Sequence, residues 1–223
     1  MTNYDDQIDI IAKNPLHFSP ITIIGNVGSG KTYFLEKYRA QRQNFYKPAF
    51  GEWEEGEGAK IFNADEICKA LHSSFTSDNE SAWIKMFDSV DVIIIDDFNK
   101  LYGKTTVQKM LFSYFLTCQK AIIVSSKTEI VGKGFSEELS SFLSTGAHIY
   151  IEDPDKEAKL DFLLTGLCTS GIQIESEAFE WLSNQNFISY AATKGYVKTL
   201  QLFATEEAIS FADCVKCSKG YIY

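Results

Sequence analysis

Apolar residues along the chain fall in short runs separated by amphipathic stretches. Ile21-Thr22-Ile23-Ile24, Val92-Ile93-Ile94-Ile95 and Ala121-Ile122-Ile123-Val124-Ser125 are β-branched and almost uninterrupted. Such runs predict strands buried on both faces of a sheet. Weaker runs near 59–62 and 148–151 predict two more strands. Between the runs, helical periodicity predicts helices near 31–43, 64–73 and 104–118, and a short one before 91. Alternation of strands and helices predicts an α/β fold: a five-stranded parallel sheet with helices on both faces. Glu152-Asp153-Pro154-Asp155 marks a boundary, with Asp155 placed to cap the next helix. The pattern beyond it is helical, near 156–169, 176–184 and 190–212. The predicted division is therefore a core over 1–152 and a small all-α appendage over 153–223. Residues 4–14 fit either a short amphipathic helix or an extended arm. The Gly/Glu-rich stretch 51–58 and the polar stretch Ser73–Ser81 predict exposed connections.

Composition narrows the class. The 223 residues are 45% apolar and include 17 Phe and 11 Tyr, enough for a substantial core. No apolar run reaches the roughly 18 residues of a membrane span. The acidic N-terminus does not resemble a secretory signal, and the five scattered cysteines suit a reducing compartment, so a cytoplasmic protein is expected. A net charge of −9 argues against direct nucleic-acid binding, which depends on lysines and arginines neutralising phosphates. Only two arginines occur, Arg39 and Arg42, against 19 lysines.

Two segments carry candidate chemistry. Gly25-Asn26-Val27-Gly28-Ser29-Gly30-Lys31-Thr32 fits the phosphate-binding pattern G-x-x-x-x-G-K-[ST] at every required position. The glycines let backbone N–H groups turn inward around phosphate oxygens. Lys31 brings a positive charge to the β- and γ-phosphates, and the Thr32 hydroxyl is placed to ligate Mg²⁺. Tyr33 opens the following helix, whose N-terminus favours anions. The strand at 92–95 ends in Asp96-Asp97, as a Walker-B element does. Asp96 is expected to hold Mg²⁺ through water, and Asp97 to orient or deprotonate an attacking water. The expected cofactors are ATP or ADP with Mg²⁺.

Several further stretches resemble one family within the AAA+ class of P-loop proteins. Asn14-Pro15-Leu16 ahead of the phosphate loop is similar to the family's "NPL". Ser89-Val90-Asp91-Val92-Ile93-Ile94-Ile95-Asp96-Asp97-Phe98 resembles "SVDVLLIDDIQ". Tyr102-Gly103-Lys104 with Gln108 and Leu111-Phe112 resembles "AGK...Q...LF". Phe62-Asn63-Ala64-Asp65-Glu66 and Asp153-Pro154-Asp155 match two further motifs. The family is the bacterial replication initiator DnaA and its shorter relative Hda, and the resemblance runs over about 14–205. No helix-turn-helix module follows within these residues, which implies the Hda-like arrangement.

Three positions depart from the family. Its lid arginine would fall at Lys194, a point charge without the bidentate fork. Its arginine-finger segment would fall at Leu139-Ser140-Ser141-Phe142-Leu143, which holds no arginine. Its first sensor would fall at Ser125-Ser126-Lys127. Ser125 or Ser126, with Lys194 from the lid, are therefore the candidate γ-phosphate contacts beside Asp97. An arginine finger contributes about 10³ to 10⁵ in rate where it operates. The resemblance thus implies a nucleotide-bound module with slow turnover that regulates replication through protein contacts.

The implied partners are the initiator itself, a second copy of the chain, and a sliding clamp. The clamp contact would run through Gln7-Ile8-Asp9-Ile10-Ile11, which resembles a "QLxLF" peptide. The same residues would equally serve as the apolar side of an N-terminal helix. Two other functions stay open at this stage. One is an active ATPase such as a DnaC-type helicase loader, because Lys31, Thr32, Asp96 and Asp97 are all present. The other is a generic P-loop scaffold or kinase. Cys214-Val215-Lys216-Cys217 lacks a second ligand pair or a nearby histidine and lies outside a thioredoxin-like context, so neither metal nor redox chemistry is expected there.

Overall fold

The computed structural model describes residues 4–45, 58–76, 82–132, 134–203 and 208–223. The acidic stretch through Glu57, with Trp53, lies outside them, as does most of the polar break before residue 82. The described chain forms two compact units. One comprises residues up to Asn26 with Lys31–Ile151, and the other Glu152–Tyr223 with Val27–Gly30.

The first unit is built on five strands: β1 (Ile21–Ile24), β2 (Ala59–Asn63), β3 (Val92–Asp96), β4 (Ala121–Ser126) and β5 (Ala147–Tyr150). They lie in the order β2-β3-β4-β1-β5, all parallel. Every residue of β1, β3 and β4 is buried, whereas the edge strand β5 alternates between partly buried and exposed positions. That contrast explains why the first three read as unbroken apolar runs and β5 does not.

Alternate strand residues feed two cores. Ile93, Ile95, Ile122 and Val124 pack with one set of helices. Ile21, Ile23, Ile94 and Ile123 pack with the other set. The helices of this unit are α1 (Asp5–Lys13), α2 (Pro15–Phe18), α3 (Lys31–Phe45), α4 (Ala64–Thr76), α5 (Ala82–Asp88), α6 (Thr105–Thr117) and α7 (Glu137–Ser144). Helix α4 extends three residues beyond the predicted end, through the start of the polar stretch. Helix α7 was not expected from the periodicity; Ser136 caps it, its side chain accepting from the Leu139 N–H.

The N-terminal segment resolves as helix, not arm. Ile8, Ile11 and Ala12 of α1 are buried against α3, while Gln7 and Ile10 face outward. Arg42 Nη1 donates to Ala12 O at 2.8 Å and Gln41 Nε2 to Asp9 Oδ1 at 2.7 Å, and Lys37 pairs with Asp5. Two of the three isoleucines of the Gln7–Ile11 segment are thus committed to the core, and use of this segment as an extended peptide would require α1 to unseat. Ile8→Ala and Ile11→Ala should each lower stability by about 2–4 kcal/mol in chemical denaturation. Ile10→Ala, at a position 54% exposed, should change it by less than about 0.5 kcal/mol.

The second unit holds α8 (Lys156–Cys168), α9 (Ser176–Asn184), α10 (Tyr190–Phe203) and α11 (Phe211–Cys217). Asp155 caps α8 as expected, accepting from the Ala158 N–H at 2.7 Å. The expectation of one helix over 190–212 in an all-α unit is corrected. Helix α10 ends at Phe203, and Ala208–Ile209 forms strand β7, parallel to β6 (Gln173–Ile174). Helix α11 then starts from a capping box in which Ser210 and Asp213 exchange hydrogen bonds. The box fixes a helix start inside what periodicity alone reads as continuous helix. Cys214 and Cys217 face the core of this unit with Leu163, Leu182 and Tyr196. Burial raises both thiols, Cys214 to about 11, which keeps them protonated and unreactive at neutral pH.

Candidate functional site

Sheet register brings the candidate residues to one edge. Ile24 pairs with Ser126, Ile95 with Val124, and Asp96 with Asn63, so β1, β2, β3 and β4 end at the same level. Ligands of open parallel sheets bind outside these carboxyl ends. The Gly25 N–H donates to Ser126 O at 3.2 Å and fixes where the loop leaves β1.

Within the loop, Gly28 and Gly30 adopt φ of +82° and +107°. These conformations are open to glycine and costly for other residues, which accounts for glycine at both positions. Asn26 and Val27 are exposed, and Tyr33 is exposed on the first turn of α3. Ser29 Oγ is buried without a hydrogen-bond partner. A buried orphan hydroxyl costs free energy, and an incoming acceptor oxygen would relieve that cost. Lys31 is 7% exposed, and its Nζ donates to Gly25 O and Asn26 O at 2.7 Å each. The ammonium is therefore held against the loop backbone, at the base of α3.

The acidic pair joins a hydrogen-bonded network. Thr32 Oγ1 donates to Asp96 Oδ2 at 2.8 Å. Asp96 Oδ1 accepts from Ser125 Oγ and from the Asp97 N–H. The same N–H reaches Ser125 Oγ at 3.0 Å. Asp96 is 8% exposed and Ser125 fully buried. Ser125, near the end of β4, thus orients Asp96 directly, a role its place in the sequence did not reveal. Asp97 has φ +57°, the single positive value at a non-glycine among the described residues. Strain of this kind persists where surroundings over-determine it, and it clusters at functional sites. The Asp97 carboxylate is paired with Lys100 at 3.1 Å, and Lys100 also meets Asp65 at 2.9 Å. Lys194 is an exposed position on α10.

These residues fit a nucleotide with Mg²⁺. The loop brings a buried lysine and an orphan hydroxyl, two groups suited to phosphate oxygens. Thr32 and Asp96 place two hard oxygen donors side by side, the ligand type Mg²⁺ takes. Among the described residues no three His, Cys, Asp or Glu side chains converge to hold a metal by themselves.

The family model of the bacterial DnaA ATPase domain matches residues 6–149. The chromosomal replication initiator protein DnaA of Flavobacterium psychrophilum is 26% identical over 171 residues, covering 74% of this chain and 34% of that protein. The chain spans between 34% and 43% of the length of the curated relatives it matches. Domain III of the Thermotoga maritima replication initiation protein DnaA superposes with a TM-score of 0.82 at 22% identity, covering 97% of this chain and 90% of that one. A replication initiator DnaA bound to AMPPCP and single-stranded DNA gives 0.72 at 21% identity, covering 91% of this chain and 62% of that one. No helix among the described residues is long and apolar enough to cross a membrane.

Proposed function

Because the chain belongs to the bacterial DnaA ATPase-domain family, we propose that it binds ATP or ADP with Mg²⁺ and regulates replication initiation through protein contacts, with slow hydrolysis. Lys31 and the backbone of 25–30 hold the phosphates. Thr32 and Asp96 hold the metal, and Ser125 keeps the Asp96 carboxylate aimed. Bound Mg²⁺ supplies charge neutralisation at the β- and γ-phosphates. Asp97 orients the attacking water.

The observation that carries this reading is a phosphate-loop sequence beside a hydrogen-bonded Thr32–Asp96 pair, in a chain whose two arginines both lie on α3. Helix α7, where the family's finger would lie, reads Glu-Glu-Leu-Ser-Ser-Phe-Leu-Ser. Arg39 and Arg42 both belong to α3, and Arg42 is buried against the end of α1. Without a finger, these residues give a neighbour no guanidinium to stabilise transferring phosphate. Partner contact is placed on a DnaA-type initiator or a second copy of the chain. Contact with a sliding clamp through Gln7–Ile11 conflicts with the burial of Ile8 and Ile11.

The test is calorimetry of ADP and ATP with Mg²⁺, with turnover followed in the same samples. Micromolar or tighter ADP binding with negligible turnover supports the regulatory reading. Rapid turnover, especially if single-stranded DNA stimulates it, would replace that reading with a helicase loader of the DnaC type. Failure to bind either nucleotide would overturn both.

A further inference from the structure

We propose that Lys100 is a positioning residue that holds the Asp97 carboxylate in a resting pose and thereby slows hydrolysis; this rests on the reading of the site as an ATP site. Three backbone restraints leave Asp97 little freedom except in its side chain. Its N–H is shared by Asp96 Oδ1 and Ser125 Oγ, and its carbonyl accepts from the Lys100 N–H at 2.8 Å. The turn Phe98–Leu101 that follows is a 3₁₀ turn, which puts the side chains of residues 97 and 100 over one another. Lys100 Nζ lies 3.1 Å from Asp97 Oδ2 and 2.9 Å from Asp65 Oδ2.

Asp65 comes from the neighbouring strand's exit. The pairing of Asn63 with Asp96 brings the first turn of α4 beside the Asp97 turn. Asn63 steadies that turn, its Oδ1 accepting from the Asp65 N–H at 3.0 Å. Lys100 is therefore anchored from two sides, and one anchor is the group expected to act on water.

In hydrolysis the water oxygen bonds to the γ-phosphorus. The bridging P–O bond breaks with its electron pair going to ADP, and the water proton passes to the Asp97 carboxylate and on to solvent. With one oxygen on the Lys100 ammonium, the Asp97 carboxylate is aimed at the lysine, and an attacking water must compete for it. The ion pairs are open to solvent, with side-chain exposures of 36–50%. Pairs this exposed add little to folding, and their bias on a side-chain pose is worth a factor of about two to five. The effect should accordingly appear in turnover and not in stability.

The experiment compares single-turnover ATP hydrolysis in wild type, Lys100→Met, Lys100→Arg and Asp65→Asn. Lys100→Met should hydrolyse about two- to five-fold faster with unchanged ADP affinity and melting temperature. Lys100→Arg should keep the wild-type rate, and adding Asp97→Asn to Lys100→Met should remove the gain. A nucleotide-free readout accompanies these rates, namely amine acylation mapped by mass spectrometry. Lys100 should react more slowly than the exposed Lys109 in wild type, and as fast as Lys109 in an Asp65→Asn/Asp97→Asn double variant. Lys100→Met that binds ATP but turns over no faster, or Lys100 acylated at the Lys109 rate in wild type, would overturn the proposal. Loss of all ATP binding in the wild type would instead remove the ATP-site reading, and the latch with it.

Discussion

Lys31→Met is expected to weaken ADP and ATP binding about a hundredfold or more while leaving the fold in place. The lysine brings the one positive charge of the phosphate loop, and charge-assisted hydrogen bonds contribute about 1.5–3 kcal/mol each. Losing two such contacts to phosphate oxygens gives a change of about 3–4 kcal/mol, or two to three decades of affinity. The cost to folding is smaller. Lys31 Nζ bonds to the carbonyls of Gly25 and Asn26, which lie at the start of the loop, and methionine preserves the length of the buried stem. Calorimetry with Mg²⁺ measures the affinity directly. Thermal melts give an independent check, because a ligand that binds only the native state raises the midpoint. Wild type should melt higher with ADP, and the variant should not. A variant that still bound ADP within about three-fold of wild type would remove Lys31 from the phosphate site.

Gly146→Ala should be among the most damaging single substitutions in the chain. A Cβ built on Gly146 falls 1.7 Å from the Pro20 carbonyl oxygen and 2.7 Å from the Pro20 carbonyl carbon and nitrogen. These are backbone atoms, so no side-chain rotation relieves the clash. Pro20 and Gly146 immediately precede β1 and β5, whose pairing opens with Ile21 opposite Ala147. Making room for one methyl group separates the two strands at the first rung of their ladder. A loss of about 4 kcal/mol or more is expected, a large part of a typical 5–15 kcal/mol of stability. Urea denaturation of purified protein, or failure to recover soluble protein, would register it. Gly103→Ala is the matched control. Gly103 has φ +73° with nothing within 4 Å of its Cβ position, so strain alone should cost about 1 kcal/mol. Equal losses at the two positions would mean that the Pro20 contact is not what excludes a side chain.

The two substitutions differ in how visible they were beforehand. Lys31 belongs to an octet whose requirements are local, and its neighbours in space are its neighbours in sequence. Gly146 carries no sequence signal, since the atoms that demand glycine lie 126 positions away in the chain. The same division runs through the rest of the molecule. The buried strands β1, β3 and β4, the acidic end of β3 and the Asp155 cap were all legible, because burial on both faces and capping leave contiguous traces. Helix α7 was not legible, because its eight residues, five of them serine or glutamate, span only about two turns around Leu139 and Leu143. The break between α10 and α11 was missed because a capping box at Ser210 and Asp213 competes with an apolar period that continues past it.

The sequence by itself determined the phosphate-loop motif, the acidic end of β3, the α/β class and, through motif resemblance, the family. Each depends on residues whose conformation is set within a few positions of themselves. The tertiary structure alone decided how those parts are aimed. Whether the apolar side of Gln7–Ile11 is free or docked depends on α3 lying against it. That Ser125 holds Asp96, and that Lys100 stands between Asp97 and Asp65, depends on the register of three parallel strands joined by long crossovers. A parallel ladder takes its register from the packing of the helices that link its strands, and no local stretch of sequence carries that information.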